Sequence, residues 1–369
     1  MASLIALDFP LGPDLEHTLR RCVEGRQAFC VLDQRLSPEG RRQELLALGA
    51  THILDHTGLT SLDGGTIVPA GVGLVMLTSG SSGSPKAAEL NWDALDASAT
   101  ITQESLRGAS APVWYPCLPA NHIGGLAVLL RAILSDARLL WGDPREIADA
   151  PRRGATHVAV VRSQLFDHDL SGFETVLLGG ARPPGELATN VITTWGMTET
   201  GSGVVYNGRA LRGVELCAVD GEIYVKSPTL FDKYRHGPRP RAMGPDGQDD
   251  WFPTGDAGEV TQGLLRIHGR RGYVINTGGE KVWPDDLEAV IGGVEGVRDV
   301  AITSAPDERW GERLIAIVVS ENHELDEAIR DASEQRIGPW AKPKEIFYVT
   351  TIPRTANGKI RRDVLGTFR

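Results

Sequence analysis

Short apolar runs alternating with amphipathic stretches through residues 1–160 predict an α/β fold. Two later changes of pattern predict its organisation. After Gly203 the chain turns to short strands between Gly, Pro and Asp turns, and from about Gly272 a smaller unit mixes helices and strands. The expected fold is α/β: a large N-terminal domain of α/β subdomains with a short β-rich segment (1–270), then a small α+β C-terminal domain (271–369). A chain of 369 residues that is 41% hydrophobic suits two unequal domains, each with a core.

The elements follow in order. Ala28–Asp33 reads as a strand, Pro38–Leu48 as an amphipathic helix and His52–Leu54 as the next strand. Val72–Leu77 (VGLVML) is an apolar run that ends in a Ser/Gly loop. Gly124–Leu134 is an apolar helix, and Thr156–Val161 and Thr175–Leu178 are buried strands. Val191–Thr194, Gly221–Val225 and Leu264–Gly269 are further strands, while His236–Asp250, rich in Gly, Pro and Asp, is an exposed loop. The boundary falls between Gly269 and Gly272. Beyond it come a helix at Pro284–Ile291, strands at Val300–Ser304 and Arg313–Ser320, and a helix at Glu324–Arg336 with Leu325, Ile329 and Ala332 on one face.

Charge and composition exclude several function classes. A net charge of −10 disfavours non-specific nucleic-acid binding, which needs a basic surface. Cys22, Cys30, Cys117 and Cys217 form no CxxC pair and no metal-ligand spacing, so they read as reduced thiols. The N-terminus lacks a basic segment and carries Asp8 early, unlike a signal peptide. No apolar run approaches the roughly 20 residues that cross a bilayer. The expectation is a soluble cytoplasmic protein with no membrane insertion.

Five segments carry chemistry. In the first, Thr78, Ser79, Gly80, Ser81, Ser82, Gly83 and Lys86 follow a strand as TSGSSGSPK. Glycines let backbone N–H groups approach phosphate oxygens, hydroxyls add donors and the lysine adds charge. A Walker loop needs Gly-Lys-Ser/Thr, and this chain has Pro85-Lys86-Ala87. A flexible linker is the bland alternative. The second segment is Trp195-Gly196-Met197-Thr198-Glu199-Thr200, where a hydroxyl and a carboxylate at a strand exit can hold a phosphate and Mg²⁺ together. Taken alone, Trp195 after a strand is more often a core residue than a base platform. The third holds Asp256 after a Gly turn, either a turn residue or an acceptor for ribose hydroxyls. The fourth holds Arg270 and Arg271, and the fifth is Pro353–Ile360 with Lys359, otherwise a frayed terminus.

In this order, from about Val72 to Ile360, the segments resemble those of the adenylate-forming superfamily of acyl-CoA synthetases, luciferases and peptide-synthetase adenylation domains. The resemblance implies an acid–thiol ligase using ATP and Mg²⁺, with a carboxylic acid and coenzyme A as partners and no nucleic acid. It implies that Thr78–Lys86 bind phosphates, that Gly179, Gly180 and Ala181 lie along the adenine, and that Trp195 stacks on it beside Gly196 and Met197. Thr198 and Glu199 would be phosphate and Mg²⁺ ligands, Asp256 and Arg270 ribose contacts, Lys359 the lysine brought by a mobile C-terminal domain, and His122 an acyl-pocket gate. Gly272 stands at the hinge where the superfamily usually has Asp or Lys.

The part before the phosphate loop is about half the usual length, as in a subset of bacterial o-succinylbenzoate–CoA ligases of menaquinone biosynthesis, and a homodimer is left open. The stretch Leu118–Leu126 is similar to that group, with Arg131 nine positions after His122. The resemblance casts Arg131 as partner of the substrate's second carboxylate, and a core Asp or Glu partner is the alternative. A ligase for another acid, or a non-catalytic nucleotide-binding relative, are the competing functions.

Overall fold

The structure is a computed structural model that describes residues 1–78, 86–106, 111–135, 137–183, 185–355 and 360–367. Ser79, Gly80, Ser81, Ser82, Gly83 and Lys359 lie outside the described residues. The chain groups into two compact units. The first is Met1–Gly179, Ala188–Cys217 and Tyr224–Phe252; the second is Gly180–Leu187, Ala218–Ile223 and Pro253–Arg369. The position between Gly269 and Gly272 falls inside the second unit, because the strand before it packs on the helix after it.

In the first unit, β1 (Ile5–Leu7), α1 (Pro13–Glu24), β2 (Phe29–Val31), α2 (Pro38–Leu48), β3 (His52–Asp55) and β4 (Gly58–Ser61) lead to β5 (Val72–Thr78) and β6 (Lys86–Asn91). β1 pairs in parallel with β2 and β3, and β2 in parallel with β5. Parallel strands are covered on both faces and read as continuous apolar runs, as VGLVMLT does. α2 starts on Ser37, which accepts from Gly40 N–H, and stops on Gly49 at φ 64°. Leu4, Ala28, Leu32, Leu48, Val68 and Val75 form the core beneath it.

After α3 (Trp92–Ser105), a second sheet is built from β7 (Val113–Tyr115), β8 (Arg138–Leu139), β9 (His157–Val161), β10 (Thr175–Gly179), β11 (Val191–Met197), β12 (Ser202–Tyr206) and β13 (Arg209–Ala210). Their order in this unit is β13-β12-β11-β10-β9-β7-β8. From β8 to β11 the pairing is parallel, so these strands leave the sheet at one edge. α4 (Ile123–Leu134) follows β7, and the short α5 (Arg162–Asp167) follows β9. The α4 sequence IGGLAVLLRAIL is apolar nearly all round, and the helix is accordingly buried between neighbours that include α1, α3 and the sheet.

Beyond β14 (Glu215–Val219) and β15 (Glu222–Lys226), the short strand β16 (Lys233–Tyr234) returns to pair antiparallel with β6, completing the order β16-β6-β5-β2-β1-β3-β4. A buried ion pair fixes that return. Arg235 and Glu89 side chains are each 3% exposed and meet at 3.0 Å, and Arg235 also donates to the carbonyls of Thr66 and Gly49.

The second unit contains the hairpin of β17 (Phe252–Thr261) and β18 (Leu264–Arg270). A sheet follows from β19 (Ile275–Thr277), β20 (Glu280–Val282), β21 (Asp299–Asp307), β22 (Gly311–Val319) and β23 (Glu345–Val349), with α6 (Pro284–Ile291) and α7 (Asp326–Arg336). Leu287, Ile291, Ile302, Leu314 and Ile329 fill its core. In α7 the buried face holds Ile329 and Ser333, whereas Ala332 is half-buried and Leu325 precedes the helix. Ser333 can be buried because its hydroxyl donates to Ile329 O at 2.6 Å. Among the described residues no helix is long and apolar enough to cross a membrane.

Removing one partner of a buried ion pair strands the other charge. Arg235→Met is expected to cost roughly 3–5 kcal/mol in urea denaturation, and adding Glu89→Leu should restore most of it. An additive double variant would show that the two side chains are not energetically coupled.

Candidate active site

Thr78 and Lys86 close the β5–β6 hairpin as its last register pair, so the expected phosphate loop springs from two adjacent strand ends. Lys86 is exposed, and its ammonium lies 5.2 Å from the ring centroid of Tyr234 on the neighbouring strand β16.

Trp195, Gly196 and Met197 end β11, and Thr198–Thr200 make a single 3₁₀ turn before β12. The turn is pinned from within: Met197 N–H donates to the Thr200 hydroxyl, which donates to Ser202 O. Gly196 is required, since a Cβ there would sit 2.1 Å from Ser202 O. The turn buries Glu199, which is 8% exposed, and Tyr234 donates a hydrogen bond to its Oε1 at 2.8 Å. No lysine, arginine or histidine among the described residues is ion-paired with this carboxylate. A buried anion without a protein cation is suited to a metal ion. One carboxylate and the Thr198 hydroxyl, with places left for phosphate oxygens and water, fit magnesium. Among the described residues no group of three or more His, Cys, Asp or Glu forms an all-protein cage.

The segment expected to lie along the adenine begins at the end of β10. Gly179 leaves no room for a side chain, as a Cβ would lie 2.8 Å from Thr194 Oγ1. Gly180 follows at φ 84° with Ala181 exposed, and Trp195 is half-buried.

In the second unit Asp256 and Arg270 face each other across the β17–β18 hairpin and pair at 2.9 Å. Asp256 is 7% exposed; its N–H donates to Thr254 Oγ1, and Arg270 donates to Thr254 O. Glu222, with no sequence signal of its own, accepts from Gly255 N–H and pairs with Arg271, so Arg271 is not simply solvated. Gly272 lies in a 3₁₀ turn where a side chain would meet open space.

The acyl-side residues separate. His122 caps the N-terminus of α4, beyond the C-terminal end of β7, and its Nε2 lies 3.3 Å from the guanidinium of Arg35. Arg35 in turn grips Asp33 through both carboxylate oxygens. Arg131 is in the last turn of the same helix, nine residues or about 13 Å along it. It is 4% exposed, stacks on Trp114 at 4.9 Å and lines a small cavity with Gln103, Leu106, Pro112, Ser135 and Ala137, at the edge where β7 and β8 begin. The resemblance cast Arg131 as partner of the substrate's second carboxylate; the structure puts Arg131 and His122 at opposite ends of α4. Its Nε and Nη1 have no hydrogen-bond partner among the described residues, and burial lowers its pKa.

Gly196→Ala forces backbone apart between β11 and β12. A loss of about 1–3 kcal/mol in stability is expected, together with loss of nucleotide binding. An unchanged melting temperature would contradict the close approach of Gly196 to Ser202.

The AMP-binding enzyme family model matches residues 66–235, and that of the AMP-binding enzyme C-terminal domain matches residues 286–359. A probable 2-succinylbenzoate–CoA ligase of Mycobacterium tuberculosis (strain CDC 1551 / Oshkosh) is 33% identical over 325 residues, covering 80% of this chain and 84% of that protein. The solved o-succinylbenzoate CoA synthetase of Bacillus subtilis, in complex with its acyl-adenylate intermediate, shares the fold at a TM-score of 0.83 and 22% identity, covering 98% of this chain and 88% of that one. The same enzyme with ATP and magnesium gives 0.82 at 21% identity, covering 99% and 89%. With both family domains matched in order, and a third of its residues shared with a relative over most of that relative's length, the chain belongs to the AMP-binding enzymes.

Proposed function

We propose that the protein joins a carboxylic acid to coenzyme A in two ATP-dependent steps, and that the acid is o-succinylbenzoate. The observation that carries the chemistry is Glu199: a buried carboxylate beside Thr198, with no ion-pair partner among the described residues, hydrogen-bonded to the tyrosine whose ring meets Lys86. The family membership and the 33% identical relative named for 2-succinylbenzoate support the substrate.

In the first step a carboxylate oxygen attacks the α-phosphorus of ATP and the bond to pyrophosphate breaks. In the second, the coenzyme A thiolate attacks the acyl carbonyl carbon and AMP leaves. Thr198 and Glu199 would hold Mg²⁺, which supplies screening of phosphate charge when bound. Lys86 and the hydroxyls after Thr78 hold phosphate oxygens, Asp256 accepts from the ribose hydroxyls, and Arg270 orients Asp256. Lys359 supplies a further cation for adenylation, with Gly272 as the hinge that brings and removes it. The cytoplasm, where ATP and coenzyme A are abundant, is the matching compartment.

The substrate's second carboxylate needs a cation on the His122 side of the sheet. Arg35, 3.3 Å from His122, has that position, whereas Arg131 is a packing cation on Trp114.

Pyrophosphate exchange into ATP measures adenylation directly. Exchange with o-succinylbenzoate is expected to exceed that with benzoate or a fatty acid on the order of 100-fold. Preference for a different acid would replace the substrate, and no exchange with any acid would refute the ligase reading.

Arg35→Ala should raise KM for the dicarboxylate about 10-fold while sparing a monocarboxylic analogue. Arg131→Met should shift the melting temperature and treat both acids alike. The reverse pattern would return the second carboxylate to Arg131.

A further inference from the structure

Tyr234 belongs to none of the five chemistry-bearing segments read in the sequence, yet it touches two of them. Its hydroxyl donates to Glu199 Oε1 at 2.8 Å, and its ring lies 5.2 Å from the Lys86 ammonium. Its placement is firmly built. Tyr234 pairs with Ala88 in register, Asp232 N–H donates to Glu89 O, and Arg235 N–H donates to Ala87 O, each at 2.8 Å. The same segment holds the backbone of the metal turn, because Phe231 N–H donates to Glu199 O at 2.9 Å. Phe231, fully buried, supports the Tyr234 ring at 4.8 Å.

We propose that Tyr234 is a positioning residue that sets the metal-binding carboxylate and the phosphate-binding lysine in fixed relation to each other. This rests on the adenylation reading above and adds to it the residue that prepares the site for magnesium nucleotide. A phenol suits the task because it is neutral: it orients one carboxylate oxygen while leaving the anionic charge and the second oxygen for a cation. A lysine or arginine there would cancel the charge that attracts the metal. The ring face does the complementary work, holding the lysine by its quadrupole without neutralising it. Hydrogen-bond partners of metal ligands commonly matter by 10–100-fold in metal affinity.

Calorimetric titration with a non-hydrolysable ATP analogue, at several magnesium concentrations and in chelator, tests the proposal without catalysis. In Tyr234→Phe the magnesium concentration giving half the gain in nucleotide affinity should rise about 10-fold. Metal-free affinity should stay within about twofold and the melting temperature close to the parent, since the ring and its packing remain. Tyr234→Leu, which removes the ring as well, should also weaken metal-free binding. An unchanged magnesium midpoint in Tyr234→Phe, or equal losses with and without metal, would overturn the proposal. If the parent protein itself shows no magnesium-dependent nucleotide binding, the adenylation reading falls first and this one with it.

Discussion

Much of the edge formed by β5, β6 and β16 hangs on one ion pair withdrawn from water. Glu89 on β6 and Arg235 just after β16 fasten a two-residue strand that backbone hydrogen bonds alone would hold weakly. With β16 in place, Tyr234 has a fixed position, and through it so do Lys86 and Glu199. The pair also reaches back to the carbonyls of Gly49 and Thr66, tying the site to the N-terminal α/β layers. A buried pair is expensive to desolvate, and hydrophobic residues would often serve stability as well. Its directional hydrogen bonds, however, fix register, and register is what a site made from strand ends requires.

The second sheet divides labour between its two edges. Parallel strands send their C-terminal ends to one side, where Gly179, Trp195 and the residues leading to His122 emerge, the usual place for ligand crevices in such sheets. The opposite edge is structural. There Arg131 lies over Trp114, and Trp114 packs on His157 at 5.1 Å. Burial, with the nearby guanidinium, lowers the His157 pKa.

The fold was largely legible because apolar periodicity and turn residues are local signals. Pro38–Leu48 and Pro284–Ile291 coincide with their helices, each opening on proline. The strand boundaries moved by one to three residues, as at His157–Val161 and Val191–Met197. What spacing could not supply was direction. The resemblance gave Arg131 a role but not a place, and on a helix nine residues from His122 is two and a half turns. Tyr234, Glu222 and Arg35 were invisible for a related reason: each acts through a partner at least 33 residues away in sequence, and none sits in a motif with chemistry of its own. Ser333 misled the helix face, since a hydroxyl satisfied by its own backbone can be buried like a small apolar group.

Thr78 and Lys86, opposite one another at the mouth of a hairpin, carry a consequence for how such proteins change over time. β5 and β6 pair from Thr78 and Lys86 back to Val72 and Asn91, outside the intervening segment. The ends of the intervening segment are therefore held together by pairing the segment does not itself provide. Closing a longer or shorter loop between fixed ends alters free energy only slowly with length. Variation in the length of that segment is thus limited little by whether the protein folds. Chemistry and stability can be tried separately, a few residues apart.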